Sequence, residues 1–207
     1  MHTYRYVMLG EAYMVVSEPE KAIAAFEHAL AKSPNDAALA SRIGTVLVTT
    51  HAYTKAIEYY SDAVTTDPSK ASLRYELANL FYALKKYDRA VTEINQLTAA
   101  WLASEGGDKA AATSDMLEDI YLVTKSFALL AKILKAKNAL PEALEALLRA
   151  QKNQAAALTR TRSEGGSDQQ AAQRTVAADL CVELGSTHEA NHDQDSALAS
   201  YQEVPQT

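Results

Sequence analysis

Two histidines four residues apart, the first followed by a glutamate, form the stretch His188-Glu189-Ala190-Asn191-His192. On a continuous helix, residues i and i+4 share a face. Two imidazoles at that spacing can hold zinc while the glutamate serves as general base. A zinc hydrolase read from this stretch needs one unbroken helix through both histidines and a third ligand. The nearest carboxylates, Asp193 and Asp195, fall in a predicted turn. Five-residue motifs recur by chance when their context is missing, so no metal, cofactor or catalytic residue is expected. Cys181 is the chain's single cysteine and excludes an intramolecular disulfide, which points to a reducing compartment. A reactive thiol needs exposure and cationic neighbours, whereas Cys181 falls at a core-facing position in the register described below.

The elements that carry these residues are helices. Gly and Pro number only 7 and 5 in 207 residues, and Ala, Leu, Glu, Lys and Gln are plentiful. Those residues lose little rotamer freedom in a helix. Hydrophobic residues make up 48% of the chain, enough to bury, yet no run of eighteen apolar residues would span a bilayer. The start, Met-His-Thr-Tyr-Arg-Tyr, does not look like a signal peptide. A net charge of −6 disfavours general nucleic-acid binding, which needs a cationic face.

The chain repeats itself at a period of 34 residues. Leu9, Gly10, Tyr13, Ala22, Phe26, Ala29 and Pro34 are answered by Ile43, Gly44, Leu47, Ala56, Tyr60, Ala63 and Pro68. These are positions 7, 8, 11, 20, 24, 27 and 32 of a unit built from two antiparallel helices. A glycine within a helix costs about 0.5–1 kcal/mol against alanine. That is tolerable if the missing side chain admits the second helix, and Ala22 and Ala56 are expected opposite Gly10 and Gly44. Pro34 and Pro68 push Ser33 and Asp67 out of helical geometry and end each second helix. A third unit has Leu77, Ala78, Phe81, Ala90 and Ile94 in register, with its second helix running on towards Trp101. A fourth has Phe127, Leu130, Ala131, Leu134, Ala143, Leu147 and Ala150. A fifth has Cys181, Leu184, Gly185, Ala197 and Tyr201, with His188 at position 11 and His192 at position 15, where a first helix should end.

The predicted organisation is therefore three repeats at 3–36, 37–70 and 71–104, a loop at 105–114 and a fourth, elongated helix pair at 115–162. A second loop at 163–168 and a fifth, incomplete repeat at 169–207 complete it. The loops Ser104–Asp108 and Ser163–Asp168 are polar and glycine-rich, as exposed turns are. Neither end carries a polar capping helix of the kind solenoids use, so a piece of a longer array is expected.

This register resembles the tetratricopeptide (TPR) signature, which implies an all-α right-handed solenoid of five helix pairs and a protein-protein interaction scaffold, not an enzyme. Leu9-Gly10-Glu11-Ala12-Tyr13-Met14 with Glu18-Pro19-Glu20-Lys21-Ala22, residues 39–44, 50–60 and Leu129-Leu130-Ala131-Lys132 resemble more closely the tetratricopeptide repeat protein 21 family. Residues 39–44 and 50–60 include non-signature positions and carry the specific weight. That resemblance implies a segment of the long TPR subunit of intraflagellar transport complex A. Its implied role is retrograde transport and cargo handling at the axoneme and basal body of cilia and flagella. The implied partners are the other subunits of that complex and neighbouring repeats of a longer parent chain. A free-standing peptide-binding TPR module is the alternative.

In TPR arrays the concave wall is lined by first helices at positions 2, 5, 9, 12 and 13. This resemblance makes Tyr75, Asn79 and Tyr82, with Lys125, Lys132 and Lys135, a candidate partner groove for an acidic, partly aromatic or apolar segment. The lysine and asparagine clamp of chaperone-binding TPR proteins is largely missing: positions 5 and 9 hold Val7, Ser41, Tyr75, Glu11 and Thr45, and only Asn79 fits. Charge is polarised near the C-terminus. Residues 132–162 carry seven Lys or Arg against two Glu, and residues 163–207 carry one Arg against eight acids. Attraction between neighbouring repeats explains that asymmetry, as does a polarised surface for partners.

Overall fold

The computed structural model describes residues 2–105, 114–164 and 167–204, which form ten α-helices and no strand. They are α1 (His2–Val15), α2 (Pro19–Leu30), α3 (Ala37–Thr49), α4 (Tyr53–Thr66), α5 (Ala71–Ala83), α6 (Tyr87–Glu105), α7 (Ser114–Ala136), α8 (Leu140–Glu164), α9 (Ser167–Ala190) and α10 (Gln194–Gln202). The chain divides into two compact units, Met1–Glu93 and Ile94–Thr207.

Each helix pair is closed by a turn of three residues, and the turn is the same in all five. Its middle residue is left-handed: Ser17, His51, Lys85, Asn138 and His192, with φ between 57 and 60°. All five stand at repeat position 15. The next residue donates its N–H to a carbonyl five residues back: Glu18 to Tyr13, Ala52 to Leu47, Lys86 to Phe81, Ala139 to Leu134 and Asp193 to His188, at 2.8–2.9 Å. This Schellman closure satisfies carbonyls that the helix end leaves free. Glycine usually takes the left-handed site because it has no Cβ to strain, yet none of the five is glycine. For that reason the turns are hard to read from sequence.

In the first unit, α1 packs on α2 and α3 on α4, while α2 on α3 and α4 on α5 join successive pairs. Asp36 starts α3 by accepting from the N–H groups of Ala38 and Leu39, and Pro19 opens α2 where its missing N–H is harmless. Ala22, Ala29, Ile43, Ala56 and Ala63 are fully buried, with Phe26, Leu47 and Tyr60 nearly so. The second helices stop short of the prolines: α2 ends at Leu30, and α4 ends at Thr66 before a non-helical Asp67.

One packing expectation is corrected. The atoms nearest to where a Cβ of Gly10 would stand belong to the Phe26 ring, at 2.6–2.8 Å. Those nearest a Cβ of Gly44 belong to the Tyr60 ring, from 2.6 Å. The glycines make room for aromatic rings at position 24, not for Ala22 and Ala56 at position 20. Gly185 repeats the arrangement against Tyr201, from 2.3 Å. The physical reason is direction: a long side chain reaches back along its own helix and covers the spot that a small residue nearer the turn cannot. A second departure is Leu9, which remains 42% exposed where its counterparts Ile43 and Leu77 are buried.

In the second unit, α7 packs on α8, α8 on α9 and α9 on α10. Helices α7, α8 and α9 have 23, 25 and 24 residues, against 12–14 for α1 to α5. The sequence-predicted second loop is narrower than expected, because α8 continues to Glu164 and α9 begins at Ser167. Residues 106–113, most of the other predicted loop, lie outside the described residues. The long α8–α9 contact contains a buried amide pair: Gln154 donates through Nε2 to the Gln173 backbone oxygen at 2.7 Å and to its Oε1 at 2.8 Å.

Candidate functional site

The two histidines of the zinc-like stretch do not share a helix. His188 lies on α9, which ends at Ala190, and His192 is the left-handed residue of the closing turn. The turn common to all five pairs thus separates the imidazoles that a zinc hydrolase would bring together. His188 places Nδ1 3.5 Å from Asp193 Oδ2. The Asp193 carboxylate caps α10 through the Ser196 N–H, and hydrogen bonding from the Ser196 side chain, with that N–H second, holds it below the usual carboxylate range. His192 lines an open depression with Glu189, Gln194, Leu198 and Tyr201; His188 does not line it. Cys181 is buried, and burial pushes its thiol up, away from thiolate chemistry.

The candidate groove residues divide between the units. Tyr75, Asn79 and Tyr82 lie half-buried along α5 in the first. Tyr82 makes a tilted ring contact with Tyr87, centroids 6.0 Å apart. Lys125, Lys132 and Lys135 lie on α7 in the second, each against a neighbour. The Lys125 ammonium sits 4.4 Å from the centre of the Tyr121 ring. Lys132 pairs with Glu183 at 3.3 Å, and Lys135 donates to Ser186 Oγ at 2.7 Å. An acidic partner reaching Lys132 competes with Glu183.

Those contacts reveal a rung that sequence reasoning missed. Lys132 is at position 9 of the fourth repeat and Glu183 at position 6 of the fifth. In the first unit, Arg42 at position 6 of the second repeat is ion-paired with Glu11 at position 9 of the first. The same two positions are joined in both units, with the charges exchanged. A signal was available, since opposite charges at position 9 of one repeat and position 6 of the next can be sought once the register is known. The charge asymmetry of the C-terminal region is consistent with this: Glu183 and Glu203 of the acidic stretch meet Lys132 and Gln151 of the preceding repeat. Another inter-repeat link joins a carboxylate to an uncharged donor. The Tyr59 hydroxyl donates to Glu27 at 2.6 Å, and burial with that carboxylate raises its pKa to about 12.

The described residues are thus packed helix pairs, with no cluster of metal-ligating side chains among them. Known proteins agree. The human tetratricopeptide repeat protein 21B is 37% identical over 199 residues, 96% of this chain and 14% of that protein. The mouse protein 21A is 37% identical over 198 residues, with the same coverage. The chain thus spans about one seventh of the length of these curated relatives. Among solved structures, "MamA 41-end from Desulfovibrio magneticus RS-1" superposes with a TM-score of 0.69 at 15% identity, covering 98% of this chain and 93% of that one. The TPR protein YrrB superposes at 0.58 and 18% identity, covering 94% of this chain and 80% of that one. Both share the all-α TPR fold of this chain. The family model described as "Tetratricopeptide repeat protein 21 forth ARM domain" matches residues 39–204, and the chain belongs to the tetratricopeptide repeat protein 21 family.

Proposed function

We propose that this chain is a scaffold segment of the long TPR subunit of intraflagellar transport complex A. In this reading it acts in retrograde ciliary transport and ciliary cargo handling, at the axoneme and basal body. Its partners are the other subunits of that complex and neighbouring repeats of its own longer parent chain. Family membership over residues 39–204 is the observation that carries the reading. The separation of His188 from His192 supports a role without catalysis, because the one motif that suggested hydrolysis lacks its helix. Tyr75, Asn79 and Tyr82 on α5 remain the candidate seat for a partner segment in the first unit, since tyrosine offers contact area with a polar tip.

Affinity capture with the full-length protein, with and without this segment, tests the reading. The expected result is loss of one or more complex A subunits from the capture when residues 1–207 are removed, and retention with the segment present. Capture of the whole complex by the truncated protein would overturn it. A partner set free of ciliary transport subunits would favour the free-standing peptide-binding adaptor.

A further inference from the structure

The turns that close the helix pairs line one edge of the repeats, and that edge is basic in two of them. Positions 15 and 18 are exposed in all five repeats, and position 19 in the first four. The second repeat has a helix pair packed on each side, through α2 on α3 and α4 on α5, and its edge is exposed still. Stacking therefore leaves these positions in solvent. Across positions 15–19 the second repeat carries Lys55 with His51, and the third carries Lys85, Lys86 and Arg89 with Asp88 as the only acid. The other repeats are net acidic there: Glu18 and Glu20 against Lys21 in the first, Glu142 in the fourth, Asp193 and Asp195 in the fifth.

The fold gathers the two basic stretches. Helices α4 and α5 pack together and run antiparallel, because only residues 67–70 join them. The start of α4, with Lys55, thus lies beside the end of α5 and the turn that holds Lys85 and Lys86. Helix α6 sets out from that turn, and the Tyr82–Tyr87 ring contact ties its start to the end of α5. Lys55, Lys85, Lys86 and Arg89 are all exposed, and none of them is ion-paired among the described residues. The Arg89 guanidinium lies over the Phe81 ring of its own repeat, 5.7 Å from its centre, a contact that holds the cation without neutralising it. Four cations on adjacent turns repel one another. Nothing in the stacking requires them, since the first, fourth and fifth repeats close the same turn with neutral or acidic stretches.

We infer that this edge of the second and third repeats is a docking surface for an acidic segment of another protein, an extended stretch with Asp or Glu about every third residue. Packed helices stand about 8–10 Å apart, and three extended residues span about 10 Å, so such a stretch sets a carboxylate over each repeat in turn. Charge complementarity selects the occupant. An anionic membrane surface is the poorer one, because a plane that meets both basic turns also meets Glu18 and Glu20 on the same edge of the first repeat, and they repel it. A narrow segment stays on two turns. The edge is separate from the candidate groove of Tyr75, Asn79 and Tyr82, which stand at positions 5, 9 and 12.

The surface does not depend on the ciliary reading, and its test reads the occupant directly. The photocrosslinker p-benzoylphenylalanine replaces exposed Thr54 beside Lys55 and, as a control, exposed Lys32 beyond the far end of α2, in the full-length protein in cells. The crosslinked peptide is then sequenced. The expected result is a peptide of a different chain with Asp or Glu about every third residue, recovered at least about tenfold above the Lys32 site. With the probe at Thr54, K55Q, K85Q, K86Q and R89Q together should cut that yield at least about tenfold and leave the melting temperature unchanged. K32Q, K70Q, K152Q and R174Q remove the same charge from exposed positions elsewhere and should leave the yield as it was. If the first set melts lower, K85Q with K86Q is read in its place. No yield above the Lys32 site, a crosslink to lipid or to its own chain, a segment without acidic residues, or equal losses from the two sets would overturn the proposal.

Discussion

The first unit holds short helices of 12–14 residues against one another through buried rings, whereas the second holds helices of 23–25 residues partly through buried amides. Each solution suits its helix length. A short pair has few alternative registers, and a glycine that admits one ring, as Gly44 admits Tyr60, sets the approach. A long pair could slide by a turn and lose little apolar contact. The Gln154–Gln173 amide bonds are satisfied in one register only, and a polar pair leaves unpartnered groups when displaced. What the units share is the turn at position 15 and the rung from position 9 to position 6. They also share a buried alanine at position 20: Ala22, Ala56, Ala90, Ala143 and Ala197.

The largest effect should come from filling the ring contacts, and it should differ between the units. Tyr60 is 3% exposed and cannot leave its pocket, while Tyr201 is half-buried at the end of the second unit and can swing towards solvent. Gly44→Leu is expected to destabilise by about 1–3 kcal/mol through overpacking, read as a lower denaturation midpoint. Gly185→Leu should cost clearly less, although a Cβ there would meet its ring just as closely. Equal losses at the two sites would show that ring freedom does not separate the units.

Next comes the amide pair. Gln154→Leu removes the donor and leaves the buried Gln173 oxygens without it, for about 1–3 kcal/mol. If the pair sets register, amide hydrogen exchange should quicken along α8 and α9 and stay unchanged in α1 to α5. A loss confined to the substituted turn, with the rest of α8 and α9 protected as before, would reduce the pair to an ordinary buried contact.

Much of this was legible in advance, and the parts that were not have physical causes. The 34-residue pitch, the ten helices and the long fourth pair follow from apolar periodicity and from glycine and proline placement, because these record packing and chain reversal directly. The partner of each glycine was misassigned, since sequence spacing does not say that a ring at position 24 reaches back over position 8. Gln154 and Gln173 lie outside the signature positions, so no pattern marked them. The closing turns lacked their usual glycine: a serine, two histidines, a lysine and an asparagine hold the left-handed site. That same substitution makes a smaller prediction in the opposite direction. His51→Gly in the first unit and His192→Gly in the second should each stabilise by about 0.5–1 kcal/mol, because glycine adopts φ near 60° without Cβ strain. Asn138→Gly should gain least, since asparagine already tolerates that conformation. A lower melting temperature in both histidine variants would place their imidazoles in contacts that outweigh the strain.

The smallest effect tests whether the rung is one device used twice. Glu11–Arg42 and Lys132–Glu183 join equivalent positions with opposite polarity, and in each pair the side chains are 30–48% exposed. Water screens charges at that exposure, so either pair contributes only about 0.2–1 kcal/mol. Lys132→Glu should destabilise slightly more than that range suggests, since it sets two carboxylates together. Adding Glu183→Lys should restore the loss, because only the sign of the rung matters. Arg42→Glu with Glu11→Arg should behave the same way in the first unit. Raising the salt concentration should shrink the single-variant losses and leave the double variants unmoved. The second unit is the stricter case, because Lys135 also bonds Ser186 one turn along α9 and holds the two helices together when the charge pair is broken. Rescue should therefore be complete in the first unit and the single loss smaller in the second. If the exchanged pair fails to rescue in either unit, the rung depends on side-chain length and packing, and the matched positions do not make the two pairs equivalent.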